Sequence, residues 1–371
     1  MREGADVTVV MTERAVKLVD PRLFDAVSGR HAVTDLFDRR HAFAHLEAAD
    51  LAEAFAVAPA TANVIGKLAA GVADDALTTI ALAVECGRLV APAMNPRMWN
   101  NAVVQRNVAT LRELGYFITP PGEGFTACGD AGTGRLAEVG TIAEDILRLA
   151  GKDERFAGKR VVVTAGPTRE PFDAVRVLTN PSSGLMGYEI ARRAARRGAD
   201  VTLVTGAPGG PTPLATDVRV RRVRTGAEMF ETTAQAFEKA EVLVMAAAVS
   251  DYRFAETKEV KVKKSNAKTT VTLVPTVDIL SELAGKKGDK LVIGFAAESD
   301  NLIENASAKL RNKKLDMVVG NVVGREDVGF AVDMVEAALI TAEGATSLGR
   351  VSKAALASRI LDWLAEQWGK R

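Results

Sequence analysis

Cysteine is nearly absent: Cys86 and Cys128 are the only two in 371 residues, too few for a disulfide framework, so packing must hold the fold. Three histidines and no CxxC pair leave no zinc site of the usual spacing. No apolar run is long enough to span a bilayer, and the opening MREGADVTVVMT has neither a basic stretch ahead of an apolar one nor a cleavage site. The expectation is a cytoplasmic chain with no membrane partner. Charge of one sign is missing too, with Lys plus Arg at 48 against 47 for Asp plus Glu and a net charge of +1. No global field draws such a chain to nucleic acid, so any anion it binds must be held by local groups. A lone cysteine stays a candidate for chemistry.

What the sequence has throughout is alternation. Short β-branched runs at Val7–Val10, Phe55–Ala58, Val161–Thr164, Val201–Val204, Val242–Ala246 and Leu291–Gly294 are separated by Ala, Leu and Arg-rich helical stretches. That pattern predicts parallel sheets covered by helices, the doubly wound α/β class. Between Leu147 and Lys159 the text turns charged (LRLAGKDERFAGK) just before the strongest new strand, which puts a boundary there and gives domains of 1–150 and 151–371.

One phrase occurs twice. Gly198–Thr205 reads GADVTLVT and Gly4–Met11 reads GADVTVVM, the same helix-exit and strand signal in both halves. In the second half it follows a first strand, a loop and a helix ending at Arg197. By analogy the expectation is that Met1 falls at the end of a first helix, with a strand, a loop and most of that helix preceding it. The alternative is that GADVT is merely a good junction that recurs by chance. From Ala255 to Pro275 the alternation stops at a lysine-rich stretch, ETKEVKVKKSNAKTTVTLVP, where two short strands around SNAK predict a protruding hairpin. The last helix, Ser352 to Trp368, spaces Leu356, Ile360, Leu361 and Leu364 along one face, and packing is its expected role.

The chemistry-bearing motifs of the second half begin with VVVTAGPT, a polar loop, and NPSSGLMG opening the helix YEIARRAARRG. Ser182 and Ser183 are natural N-cap residues, and Gly184 and Gly187 allow close backbone approach at a helix N-terminus that favours an anion. MAAAVSDY then puts Asp251 just past a buried strand, where open α/β sheets bind ligands. KVKK follows with Lys261, Lys263 and Lys264. An acid that can hold Mg²⁺ beside lysines that can hold a triphosphate suits nucleotidyl transfer. The same lysines also read as a solvated edge strand guarded against aggregation.

In order and spacing, AGPTREPFDAVRVLTNPSSGLMG, AAAVSDYR, KVKK, GFAAES and KLRNKKLDMVVGN resemble bacterial phosphopantothenate–cysteine ligases, over nearly all of residues 159–370. The resemblance implies a Rossmann-like ligase domain and a reaction in two steps. The 4'-phosphopantothenate carboxylate attacks the α-phosphate of CTP, giving an acyl-cytidylate and pyrophosphate, and the amine of L-cysteine then displaces CMP. Activation is needed because a carboxylate oxygen is a poor leaving group. By matching position, Asn180 resembles the residue that steadies the acyl-cytidylate, and Lys261 the lysine on the nucleotide and the developing charge. Asp251 resembles the nucleotide-side and metal-side acid, with Ser182, Ser183, Gly184 and Ala247 in nucleotide-contacting segments. Val277, Asp278, Ile279 and Leu280 take the place of a loop that usually reads PDIV or NPDIL, so Val277 departs from the usual proline. Phe295 is matched to the cytosine, and Lys309 and Lys313, four apart on one helical face, to phosphates.

In the first half AHLEAAD, APATANVIGKLAAGVADDALTT, APAMNPRM and ACGDAGTGR resemble the phosphopantothenoylcysteine decarboxylases, flavodoxin-like proteins that use FMN. His45 matches their catalytic base, Asn95 the residue that fixes the substrate carboxylate, and Cys128, in a glycine-rich loop able to act as a lid, the last proton donor. Thr12, Thr61, Asn63 and Thr78 are the polar positions of flavin-contacting segments, though each also reads as an ordinary cap. An alkyl cysteine carboxylate has no electron sink. The resemblance implies that flavin first oxidises the C–S unit to a thioaldehyde, CO₂ leaves as an ene-thiolate forms, and the hydride is returned. Members of that family open with a strand and a Gly-rich turn for the FMN phosphate, which this text does not show. The expectation is weakened flavin binding.

The resemblance also implies homo-oligomers, dimeric through the ligase and trimeric through the decarboxylase. Two other readings compete. Two Rossmann-like halves suggest an NAD(P)-dependent oxidoreductase, against which stands the lack of GxGxxG. The first half could instead be an oligomerisation scaffold beside a working ligase.

Overall fold

The structure is a computed structural model describing residues 4–35, 48–125, 129–264, 268–298, 300–322 and 333–370. The chain divides into two compact units, Met1–Ala150 and Gly151–Arg371. In the first unit, helices α1 (Glu13–Val16) and α2 (Pro21–Ser28) precede strand β1 (Ala54–Ala60). Helices α3 (Ala62–Ala70) and α4 (Ala76–Ala83) lead to β2 (Gly87–Pro92), and α5 (Pro96–Trp99) and α6 (Ala102–Glu113) to β3 (Tyr116–Ile118). The three strands pair in parallel in the order β1-β2-β3. β2 is apolar on both sides because it is covered on both: Val90 joins a core with Ile65, Val108 and Leu111, while Leu89 and Ala91 face Ile142 of α7 (Val139–Ala150). That alternation is the two-residue period of a strand between helical layers. A separate antiparallel ribbon joins β4 (Gly122–Phe125) to β5 (Ala131–Arg135).

Val7–Val10 departs from its expected strand. Among the described residues it makes a single parallel bridge, Val10 to Val33, and Val7 is exposed. The matching phrase in the second unit forms β9 below, paired on both sides. Near-identical text becomes a strand only where neighbours supply a ladder on each edge.

The second unit contains β6 (Arg160–Ala165), the ribbon strands β7 (Arg169–Pro171) and β8 (Val177–Thr179), helix α8 (Leu185–Arg196), β9 (Asp200–Thr205) and β10 (Arg219–Arg222). It continues through α9 (Gly226–Glu238), β11 (Val242–Met245), β12 (Tyr252–Phe254), β13 (Leu273–Pro275), α10 (Ile279–Ala284) and β14 (Leu291–Glu298). The last elements are α11 (Leu302–Asn312), β15 (Met317–Val322), β16 (Met334–Thr341), β17 (Gly344–Ser352) and α12 (Lys353–Gly369). The sheet runs β10-β9-β6-β11-β14-β15-β16-β17. β10 through β15 are parallel, and β16 and β17 are antiparallel. From β6 the chain winds outward through β9 to β10, then returns to β11 on the other side and winds away. This is the Rossmann-like order with its switch point between β6 and β11.

Two cores sandwich this sheet. One face packs Val161, Val163, Leu203 and Ile293 against α8 and α12, including the expected stripe of Leu356, Ile360, Leu361 and Leu364. The other packs Val162, Leu243 and Val292 against α9, α10 and α11. The hairpin is present as β12 against β13, but its paired strands are 252–254 and 273–275. The described residues flanking SNAK are irregular, because the alternating Lys and Thr there are exposed and offer no apolar face to bury.

Helix α8 lies close against β6 because residue 187 has no side chain. A Cβ there would stand 2.5 Å from the Ala165 Cβ and 2.7 Å from the Thr164 carbonyl oxygen, atoms of a central strand that cannot retreat. Alanine is the better helix former by about 1 kcal/mol, whereas overpacking of this kind costs about 1–3 kcal/mol. Gly187→Ala is therefore expected to lower the urea midpoint of the second unit; a raised midpoint would show that α8 can lift off the sheet freely.

Candidate functional site

At the C-terminal edge of the second unit's sheet lies a cleft of about 430 Å³. The loop into α8 contributes Asn180, Ser182 and Gly184, the exit of β11 contributes Ala247 and Asp251, and the segment before α10 contributes Val277 to Leu280. Lys309 and Lys313 line it from α11 and its C-cap, and Phe295 on β14 lines it while packing against the core beneath α8 and α12. All of these stood as candidates in the sequence, and the switch point is what gathers them. Of the remaining second-half candidates, Ser183 and Lys261 do not line the cleft.

The cleft straddles the ends of the strands and so belongs to both faces of the sheet. Ala247, Val277, Ile279 and Leu280 pack in the core beneath α10 and α11. Met186, Val335 and Leu356 pack in the core beneath α8 and α12. Asn180 stands at the join. Its Nδ2 donates to the carbonyls of Ala248 and Val249, 3.1 Å each, which fixes the orientation of the amide and leaves Oδ1 as an acceptor. The loop beneath is sewn together by Thr179 Oγ1 donating to the Thr168 carbonyl at 2.7 Å and by Ser250 N donating to Thr168 Oγ1 at 3.0 Å.

The helix start differs from expectation. Gly184, at φ 81°, is the N-cap of α8; Ser182 Oγ accepts from Gly184 N at 3.3 Å and Ser183 Oγ from Leu185 N at 3.4 Å. The left-handed turn suits glycine and leaves the cap without a side chain, and Gly184, Leu185 and Met186 line the cleft.

Two lysines dominate the α11 side. Lys313 Nζ pairs with Asp278 at 2.7 Å, and Asp278 also caps α10 by accepting from Ser281 N at 3.0 Å. Burial works against the Asp278 carboxylate, yet the hydrogen bonds from Lys313 and Ser281 outweigh it and hold its pKa below the ordinary value. Lys309 Nζ donates to the Phe295 carbonyl at 2.6 Å. Burial and then the neighbouring Lys313 charge push the Lys309 pKa down, against Asp278, Glu298 and Asp251. These two ammonium groups, one partly stripped of water, give this wall of the cleft a local positive charge.

Lys353 is a lining residue that the sequence reading missed. It opens α12 and is 3% exposed. The helix was read by its apolar stripe, and a lysine in its first turn carried no signal of its own.

Lys261 stands exposed between β12 and β13, but its neighbour is firmly tied. Val262 N donates to Asp173 Oδ2 at 3.0 Å, and the Val262 carbonyl accepts from Arg176 at 3.1 Å. The segment carrying the lysine is thereby anchored to the loop after β7.

In the first unit Thr61 and Asn95 follow two neighbouring parallel strands, β1 and β2. Thr61 follows β1 and caps α3, accepting from Val64 N at 3.4 Å; Asn63 is exposed beside it. Thr12 follows the Val10 bridge and caps α1, accepting from Ala15 N at 3.2 Å. Each hydroxyl keeps its own proton to donate. Thr78 is buried, and its hydroxyl donates to Asp75 Oδ1 at 2.8 Å in a capping box, so its first role is to start α4. Asn95 follows β2; its Oδ1 accepts from Arg97 N at 2.8 Å and its Nδ2 donates to Asp130 Oδ2 at 2.7 Å. His45 and Cys128 lie outside the described residues. Among the described residues no group of three His, Cys, Asp or Glu could by itself hold a metal, and no helix is long and apolar enough to cross a membrane.

Residues 1–151 match the family described as Flavoprotein, and residues 156–367 match the DNA/pantothenate metabolism flavoprotein C-terminal domain. The chain is 42% identical over 343 residues to the coenzyme A biosynthesis bifunctional protein CoaBC of Bacillus subtilis, covering 90% of this chain and 83% of that one. It is 39% identical over 372 residues to the CoaBC protein of Mycobacterium bovis, covering 96% and 88%. A crystal structure of the C-terminal domain of a CoaBC protein superposes at a TM-score of 0.50 with 34% identity, covering 59% of this chain and all of that domain.

The Asp278–Lys313 pair makes a pH prediction. Because the folded pKa of Asp278 is depressed from 3.8, its charge stabilises the fold fully above the unfolded value and progressively less as pH falls through the folded one. Asp278→Asn keeps the helix cap and removes the charge. The gap in thermal midpoint between wild type and variant should be widest near neutrality and close below about pH 4. A gap that persists at lower pH would mean the ion pair is not its source. At the pair's partial exposure the gap should be small.

Proposed function

The chain belongs to the CoaBC family of bifunctional coenzyme A biosynthesis proteins, and we propose that it carries both reactions for which the family is named. The second unit joins 4'-phosphopantothenate to cysteine at the expense of CTP, and the first decarboxylates the product to 4'-phosphopantetheine. The observation that carries the ligase half is the cleft itself. It brings an acid, two lysines, a glycine-capped helix start and a fixed amide to the switch point of one sheet.

In the ligase reaction Lys309 and Lys313 take the triphosphate, Lys313 exchanging Asp278 for phosphate oxygens. Asp251 is the residue that would hold Mg²⁺, which would supply charge neutralisation on the triphosphate. The N–H groups at the start of α8 face the charge that builds on the α-phosphate as the carboxylate attacks. Asn180 acts in the second step. With both donor hydrogens held by Ala248 and Val249, its Oδ1 can only accept, which suits the attacking amine of cysteine and orients its lone pair toward the acyl carbon.

In the decarboxylase half, the Thr12 and Thr61 hydroxyls and the exposed Asn63 are the polar groups assigned to a flavin. Bound flavin supplies the electron sink that an alkyl cysteine carboxylate lacks. Asn95 receives the substrate carboxylate in the place that Asp130 holds here. His45 removes the proton and Cys128 returns one at the end. The enzyme works on small molecules as a homo-oligomer, dimeric through the ligase and trimeric through the decarboxylase, in the cytoplasm.

The experiment is mass spectrometry of products after the full chain meets 4'-phosphopantothenate, cysteine, CTP, Mg²⁺ and FMN. The expected products are CMP, pyrophosphate and 4'-phosphopantetheine. Phosphopantothenoylcysteine alone would refute the decarboxylase half, and neither product would refute both. Asn180→Ala should lower ligation by about 10²-fold or more while acyl-cytidylate still forms, as befits a single oriented group.

A further inference from the structure

Asp173 does more than its turn requires. Its side chain is fully buried in the loop after β7, and Oδ1 alone closes that loop by accepting from Val175 N and Arg176 N at 2.8 Å each. An asparagine would do as much without burying a charge. The second oxygen reaches a distant segment. Oδ2 accepts from Val262 N at 3.0 Å and from Arg176 Nη1 at 2.8 Å, and Arg176 in turn donates to the Val262 carbonyl from Nη1 and Nη2 at 3.1 Å each. One residue of the lysine-rich stretch is thus gripped by both its N–H and its carbonyl. Nearby ties run the same way: Thr257 Oγ1 donates to the Pro171 carbonyl at 3.1 Å, Lys258 N donates to the Phe172 carbonyl at 3.0 Å, and the Phe172 and Phe254 rings stand 5.0 Å apart.

Two features connect this grip with the cleft. The gripping loop continues through β8 into Asn180, and the gripped stretch belongs to the hairpin whose two roots, Asp251 and Thr276, line the cleft. Lys261 and Lys263 alternate with Val262 along the main chain; both are exposed while Val262 is half-buried, the pattern of an extended segment with one side against the loop. Among the described residues neither ammonium has a partner. A triphosphate entering the cleft of a chain with no net field needs local cations, and a lysine's long flexible stem delivers one best from a main chain that is itself held still. Building on the ligase reading above, we propose that Asp173 is a positioning residue that fixes the Val262 main chain and so sets the point from which Lys261 and Lys263 reach the triphosphate of CTP. The carboxylate touches neither nucleotide nor acid and acts through the lysines.

Asp173→Asn separates the grip from the turn. Oδ1 keeps the turn, whereas an NH₂ in place of Oδ2 meets the Val262 N–H and the guanidinium with donors and releases both. Steady-state ligation is measured for the full chain as wild type, as Asp173→Asn, as Lys261→Ala with Lys263→Ala, and as all three changes together. Asp173→Asn should raise the CTP KM about tenfold, the scale of a lost hydrogen bond to a charged group, and leave the 4'-phosphopantothenate KM within about twofold. In the background without the two lysines the same change should move the CTP KM by less than about twofold. A rise of equal size in both backgrounds is what a merely weakened loop gives and would overturn the proposal. Faster ligation by Asp173→Asn would overturn it too, since the grip would then be keeping the lysines away. If Asp173→Asn does not fold, Val262→Pro removes the N–H and leaves Asp173 its turn and Arg176; it should show the same dependence on the lysines, and an unchanged CTP KM there sinks the idea. A wild-type CTP KM without the two lysines would refute their part and the proposal with it, whereas absence of ligation by the wild type would refute the ligase reading itself.

Discussion

The reversal of winding between β6 and β11 is the constraint on which the ligase half depends. Parallel strands must be joined by crossovers on one face or the other, and where the direction changes, the two adjacent strand ends are left uncovered by connecting loops. Asn180 and Gly184 reach this gap from β6 and Asp251 reaches it from β11. The central strands are buried on both faces, so each side chain's contribution of about 1.5–3 kcal/mol holds the floor of the gap rigid. Gly187 and Gly184 then let α8 start close against β6, at the edge of the gap.

Electrostatics follow from that placement. A chain with a net charge of +1 has no long-range attraction for a triphosphate, so affinity must come from a few cations held out of water. Lys309 and Lys353 are both pushed toward neutrality by burial. On the proposed ligase reading, an anion arriving at Lys309 would offset that burial. Asn180, uncharged, lines the same cleft.

Much of this was legible in the sequence. The α/β class, the strands at 160–165, 200–205, 242–245 and 291–298, and the C-terminal helix follow from β-branched runs and helical spacing. Most cleft residues fell in motifs next to strand ends. What was not legible depended on partners distant in sequence. GADVT made a paired strand at Asp200–Thr205 and only an extended segment near the start. The cap of α8 passed from the serines to Gly184 because the turn needed a left-handed residue. Lys353 carried no signal, since nothing local says that the start of the C-terminal helix reaches this cleft.

The central claim is that the cleft at the switch point holds nucleotide and acid together around Asn180. A crystal structure of the full chain with a non-hydrolysable CTP analogue and 4'-phosphopantothenate tests it most directly. The account predicts phosphates at Lys309 and Lys313 and the reacting carboxylate beside Asn180. Either ligand outside this cleft would contradict it.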